Sequence, residues 1–376
     1  MSFFNIKNKN NKRVPGDRSA RKQLHKLYGL NFLANISIAG AVWVALLASR
    51  GFTMSEIMMA ETVFHIVSLI NEIPSGMLAD VIGRKKTMML SVIFGMISSL
   101  SMAFIDCYAG VLISISFSAL SYNYGSGTDA ALAYDTLKEV NETEGYDRYS
   151  SIQSMIYRVS YGLASLSAGL ALRMGYVKAE LLSFGLQLIS LIVILSLKES
   201  KVILKKTGIS LKKKVKDCFN ESLGFLRSNP KACALIIKNA IVGAVDILLL
   251  FALQDKLQRA GASELLLGPM LFLMYIGGVL GSIAAMKVRN SKLSRLFVFC
   301  FIAVLTGVAC AFTGDPRIMT LGGVISAFAD DLIQIRSDVA LNNMVPENSR
   351  ATLISVNSFC FSIVMIILSP IAGLIF

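Results

Sequence analysis

The sequence predicts an all-α polytopic membrane protein built as two helical bundles, and three observations carry that prediction. Of its 376 residues, 54% are hydrophobic and only 16% charged, with a mean hydropathy of +0.62. A water-soluble domain carries about 25% charged residues. Nearly charge-free runs such as 28–48 and 179–197 approach the ~20 residues that cross a bilayer as helix. Lysine and arginine, finally, are distributed with a strong sidedness along the chain.

Residues 1–27 form a basic, Asn/Lys/Arg-rich tail without a cleavable signal pattern. Six apolar segments follow near 28–48, 55–78, 87–105, 109–137, 151–172 and 179–197, and make a first bundle over 28–197. The longest polar stretch, 198–231, separates it from a second bundle over 232–376. The five segments of that bundle lie near 232–254, 264–286, 296–312, 317–341 and 351–376. Within 198–231, Leu211, Val215, Phe219, Leu223 and Leu226 recur every three to four residues, and Lys212, Lys213, Lys214 and Lys216 mostly fall elsewhere around the helix. That is the pattern of an amphipathic helix on the inner leaflet; a flexible basic linker is the alternative. The bundles repeat: segment seven begins at 232 where segment one begins at 28, and "SAGLAL" (167–172) and "SPIAGLIF" (369–376) end spans five and eleven at nearly the same offset. On that offset a twelfth span falls near 383–401, past Phe376, and is missing from this sequence.

With the N-terminus inside, 28 of the 37 Lys and Arg fall in inside segments and three, Arg158, Lys238 and Arg336, within spans. The other six, Arg50, Arg173, Lys178, Lys256, Arg259 and Arg317, fall in outside loops. Basic inside loops set topology, so a multi-pass protein of the cell membrane with a cytoplasmic N-terminus is expected. The net charge of +13 then faces an anionic inner leaflet, and no nucleic acid is implied. The six cysteines are scattered, with no CxxC and no Cys/His cluster, so neither a metal nor a cofactor is expected. There is no Ser/His/Asp grouping, HExxH or P-loop, which argues against an enzyme and against ATP-driven pumping. The "GSG" at 125–127 sits inside a span, where small residues serve packing.

One stretch stands apart: "PSGMLADVIGRKK" (74–86) runs from an apolar span into Asp80, Gly83, Arg84, Lys85 and Lys86. Gly76 and Gly83 permit close helix contact and a tight turn. Arg84 can form bidentate bonds to a carboxylate, and Asp135 at the inner end of span four is a partner for it. Asp80 is an acceptor that can face the N-terminal end of span eleven near Arg350–Thr352. Plain positive-inside anchoring accounts for Lys85 and Lys86.

This turn resembles the signature loop of the major facilitator superfamily, G-x-x-x-D-x-x-G-R-basic-basic. The six-plus-six plan, the long basic central loop and "LNNMVPENSRATLISVNS" (341–358) extend the resemblance. "GSGTDAALAYDTLKE" (125–139) is similar to bacterial, Gram-positive efflux-type members. The resemblance implies the major facilitator fold, six plus five spans being readable here, and a latch between the bundles made by Gly76, Asp80, Gly83, Arg84 and Asp135. It also implies that spans one, four, seven and ten line a central cavity. The subclass stays open. Span four has no arginine motif, "RVSYGLASLSAGLAL" (158–172) keeps glycines without a Gly-Pro, and "GGVLGSIAAMKVRNSK" (277–292) lacks the Asp and Gly-Arg elements.

Ionisable groups at membrane depth face the bundle interior and mark pathways or partners. On span two, Glu61, His65 and Glu72 fall on one stripe of the helix, a gate or proton relay, or simply hydrogen bonds to neighbours. Asp129 on span four and Arg158 on span five are expected to pair as a buried ion pair, with substrate contact as the alternative. Asp246 on span seven, and Asp330 and Asp331 on span ten, are the candidates for binding cations or protons near midplane, with Asn31 and Asn35 adding hydrogen-bonding capacity. Asp331, Gln334 and Asp338 share one stripe. The expected function is a monomeric secondary transporter exporting a small amphipathic or cationic compound in exchange for H+. Uptake of a small metabolite, or a transport-inactive sensor or accessory protein, are the alternatives.

Overall fold

The structure, a computed structural model, describes residues 18–199, 224, 225, 227–344 and 350–376, with backbone alone at 350–352 and 354. The basic tail to residue 17 and nearly all of the amphipathic helix expected over 211–226 lie outside the described residues. Among the described residues every regular element is helical. Eight helices are long and apolar enough to cross a membrane. They are span two (Met54–Ile82), three (Arg84–Phe104), six (Tyr176–Leu195), seven (Pro230–Arg259), eight (Glu264–Lys287), nine (Leu293–Cys310), ten (Pro316–Met344) and eleven (Arg350–Ile375).

Spans one, four and five are each interrupted, which hydropathy does not reveal. Span one runs Arg18–Asn35, Ile38–Ala41 and Trp43–Ser49, with the Ser37 hydroxyl accepting the Gly40 N–H as a new N-cap. Span four breaks between Tyr108–Gly125 and Thr128–Glu139, where Gly127 takes a φ of 70° that a side chain disfavours. Span five breaks at Ser167, between Tyr146–Leu166 and Ala168–Met174.

Span two exceeds its predicted length because its ends are chemically fixed. Thr53 and Glu56 cap each other's backbone N–H groups at the start. Gly83, at φ 101°, ends the helix and opens span three.

Packing differs at the two ends of the molecule. At the end opposite the Asp80–Lys86 turn, the core is shared. Val42, Leu46 and Ala168 pack with Leu253, Leu257 and Leu267, and Met54 and Met58 with Leu248 and Met365. At the turn's own end the cores are separate. One holds Leu27, Met88, Leu132, Tyr149 and Ile194, and another Phe225, Leu235, Ile236, Leu341 and Leu353. Small residues bring the backbones together, as packing between lipid-bathed helices requires. Gly268 lies on the Leu166 carbonyl and Gly169 on the backbone of Glu264 and Leu265, while Ser55 Oγ donates to the Gly373 carbonyl at 2.7 Å. Gly277 and Gly281, one turn apart, lie against the carbonyls of Val324 and Phe328 on span ten.

Candidate functional site

Two cavities lie between the bundles, and Ile247 borders both. The larger, about 710 Å³, is walled by spans two, four, seven, ten and eleven and extends from Glu61 to Gly76, toward the Asp80–Lys86 turn. The smaller, about 350 Å³, is walled by spans five, seven, eight and ten, with Ala41 of span one.

Span two presents its polar stripe to the larger cavity, since Glu61, His65 and Glu72 all line it. His65 Nε2 lies 3.2 Å from Glu61 Oε1, and its Nδ1 lies 3.4 Å from Ser362 Oγ on span eleven. Ser68 Oγ donates to Asn123 Oδ1 at 2.7 Å, tying span two to span four. On the far wall, Asn239 Nδ2 donates to Gln334 Oε1 at 2.5 Å.

Asp246, Asp330 and Asp331 converge on the smaller cavity together with Arg158. Ser326 donates its hydroxyl to Asp246 Oδ1 at 2.5 Å, and Gln334 Nε2 reaches Asp330 Oδ1 at 3.4 Å. Asp331 packs where Gly278 has no side chain. Tyr157, Tyr161 and Tyr275 form an aromatic wall, with ring centroids 6.0 and 6.1 Å apart. Sequence reading missed this wall, although the four-residue spacing of Tyr157 and Tyr161 on span five was its signal.

Other expectations change. Among the described residues no ion pair joins Asp129 to Arg158: the span-four break turns Asp129 toward Gln153, whose side-chain amide donates to it, and toward the Ala130 N–H. Asn35 donates back to the Asn31 carbonyl at 2.7 Å, Asn31 Oδ1 is buried without a partner, and neither residue lines the two cavities.

At the Asp80–Lys86 turn, Arg84 lies between two carboxylates, 3.0 Å from Asp80 and 3.9 Å from Asp135. The side chains of Arg350–Thr352, which Asp80 was expected to face, lie outside the described residues. Gly83 fits the expected tight turn, whereas a Cβ on Gly76 would meet nothing within 4 Å, so no helix contact here requires that glycine.

Sequence reading also missed Glu199. Its carboxylate accepts the backbone N–H groups of Arg84 at 3.0 Å and Lys85 at 3.1 Å, and Lys85 Nζ in turn caps the Leu195 and Leu197 carbonyls at 2.8 Å. An anion at a helix N-terminus and a cation at a helix C-terminus both match the helix dipole.

A family profile described as Major Facilitator Superfamily matches residues 27–370. No curated protein sequence matches the chain significantly. Among solved structures, a point mutant of the nucleoside transporter NupG superposes with a TM-score of 0.75 at 15% identity, over 94% of this chain and 90% of that one. A bacterial homologue of the human lysosomal transporter Spinster, inward-facing and unoccupied, gives 0.72 at 18% identity over 94% and 81%. A D-xylose–proton symporter gives 0.66 at 12% identity over 93% and 88%. At these identities the likeness is one of fold.

Proposed function

Because the chain belongs to the major facilitator superfamily, we propose that it is a secondary active transporter that moves a small cationic or amphipathic compound by alternating access, in exchange for protons. The observation that carries this reading is the convergence of Asp246, Asp330 and Asp331 on one cavity between the bundles. Three carboxylates at membrane depth attract cations, and a carboxylate taken from water exchanges a proton for a cation readily.

The unequal packing of the two ends supports alternating access. With the basic turn cytoplasmic, as the charge distribution favours, the cores shared at the opposite end belong to a closed outer gate. The separate cores at the turn leave the inner side open. In this reading Gly76, Asp80, Gly83, Arg84 and Asp135 form the inner latch, and Glu61 with His65 form a gate between spans two and eleven. The protein works as a monomer in the cell membrane, and export is the direction proposed. A second reading is uptake by proton symport, favoured by the D-xylose–proton symporter among the structures that share the fold.

Flux in proteoliposomes under an imposed pH gradient tests the proposal and its direction across a panel of cationic compounds. Transport that collapses in Asp246→Asn and Asp331→Asn variants, with proton movement opposite to substrate, is the expected result. Undiminished flux in both variants overturns the carboxylate site, and co-directional proton movement replaces export with uptake.

A further inference from the structure

The smaller cavity carries both signs of charge, and it carries them on different bundles. Arg158 reaches it from span five and Asp246, Asp330 and Asp331 from spans seven and ten. Among the described residues no carboxylate forms an ion pair with Arg158, although the guanidinium and Asp331 act on one another electrostatically. The Arg158 side chain is exposed within the cavity wall, not packed away.

A guanidinium at membrane depth with no carboxylate in direct contact is costly. A cationic compound satisfies the aspartate side but brings no counter-charge to Arg158, so a cation that also carries a carboxylate suits the cavity better. A purely anionic one meets three carboxylates. Taking the cavity as the substrate site, as proposed above, we infer that the transported compound is a zwitterion. Its carboxylate sits on Arg158 and its ammonium on the aspartate side, with its apolar part against Tyr157, Tyr161 and Tyr275. Arginine presents a planar fork that matches a carboxylate with two parallel hydrogen bonds, and tyrosine faces accept both an ammonium and an apolar group. Such a molecule bridges the two bundles, so its two charges are fully satisfied only when the cavity narrows around it. Either half of the molecule alone lacks that bridging contact, and this gives discrimination a physical basis.

The test uses the purified full chain in detergent and matched trios of an amino acid, its methyl ester and its N-acetyl derivative, over aromatic and aliphatic side chains. Affinity is read by calorimetry and by thermal shift. The expected result is that at least one amino acid binds tenfold or more tightly than both of its single-charge derivatives. The Arg158→Gln variant then loses the preference over the ester, and Arg158→Lys retains part of it. Asp331→Asn lowers the preference over the N-acetyl form. Unfolding curves of the same variants separate lost binding from lost fold. Esters that bind as well as, or better than, their amino acids overturn the zwitterion and leave the cation-binding cavity standing. If no member of any trio binds, or if binding ignores both Arg158→Gln and Asp331→Asn, the zwitterion inference falls, and the flux of the Asp246→Asn and Asp331→Asn variants decides the substrate cavity separately.

Discussion

The carboxylate of Glu199, just past span six, accepts the backbone N–H of Arg84, the first residue of span three, at 3.0 Å. This contact explains Gly83 better than a need for a tight turn alone. Gly83 has φ 101°, and a Cβ there would stand 2.5 Å from Glu199 Oε2.

Gly83→Ala is therefore expected to cost more stability than Glu199→Gln. The cap contributes about 1 kcal/mol, and the glycine-only backbone alone about 1–3 kcal/mol, before the collision is added. In a Glu199→Ala background the cost of Gly83→Ala falls to its backbone part, because the colliding carboxylate has gone. Thermal unfolding of the single and double variants in detergent reads this directly. Strict additivity refutes the contact.

Glu61 and His65 behave as one unit if the 3.2 Å contact between them is what holds His65 toward Ser362 on span eleven. Glu61→Gln and His65→Gln are each expected to slow transport, and the double variant is expected to be no slower than the worse single. A coupling of about 0.5–3 kcal/mol in the rate cycle fits residues in one network. Independent effects that multiply place the two in separate roles.

Gly373 sits on the seam between spans two and eleven at the shared-core end. A Cβ there would approach Ser55 Cα to 2.9 Å, and backbone cannot move aside cheaply. Gly373→Val is expected to hold the bundles apart at that end and to favour the state closed at the Asp80–Lys86 turn. Ser358, which lines the larger cavity, supplies the reporter. A Ser358→Cys thiol, with the native cysteines replaced by serine, becomes more reactive to an impermeant reagent applied at the face opposite the turn. Unchanged labelling from both faces removes the seam from the gating surface.

The fold was legible because lipid imposes it: spans need ~20 apolar residues, and basic loops mark one side. Window hydropathy averages over single backbone positions, so the breaks at Ser37, Gly127 and Ser167 stayed hidden. The convergence of Asp246, Asp330 and Asp331 was readable because a charge in a span is rare enough to need a reason. Asp129 and Arg158 were misjudged as a pair, since residues at similar depth on adjacent spans need not point at one another. Glu199 left no trace in the sequence. It stands in a polar loop like any exposed carboxylate, and only the approach of span six to span three gives it a partner.

Gly76 poses the opposite case to Gly83. It belongs to the same signature turn and lines the larger cavity, but a Cβ there would meet nothing within 4 Å. If a glycine is required at this position, the close approach that requires it belongs to the state in which the turn's end has shut. Gly76→Val is then expected to leave thermal unfolding within about 0.5 kcal/mol of the parent, because a Cβ at this position meets no neighbour in this state. Transport slows all the same, and the population stays open at the turn. The Ser358→Cys reporter loses its labelling from the face opposite the turn, the reverse of the Gly373→Val result. A Gly76→Val protein that transports at the parental rate shows that no part of the cycle brings a neighbour against this face of span two, and the latch then loses its first residue.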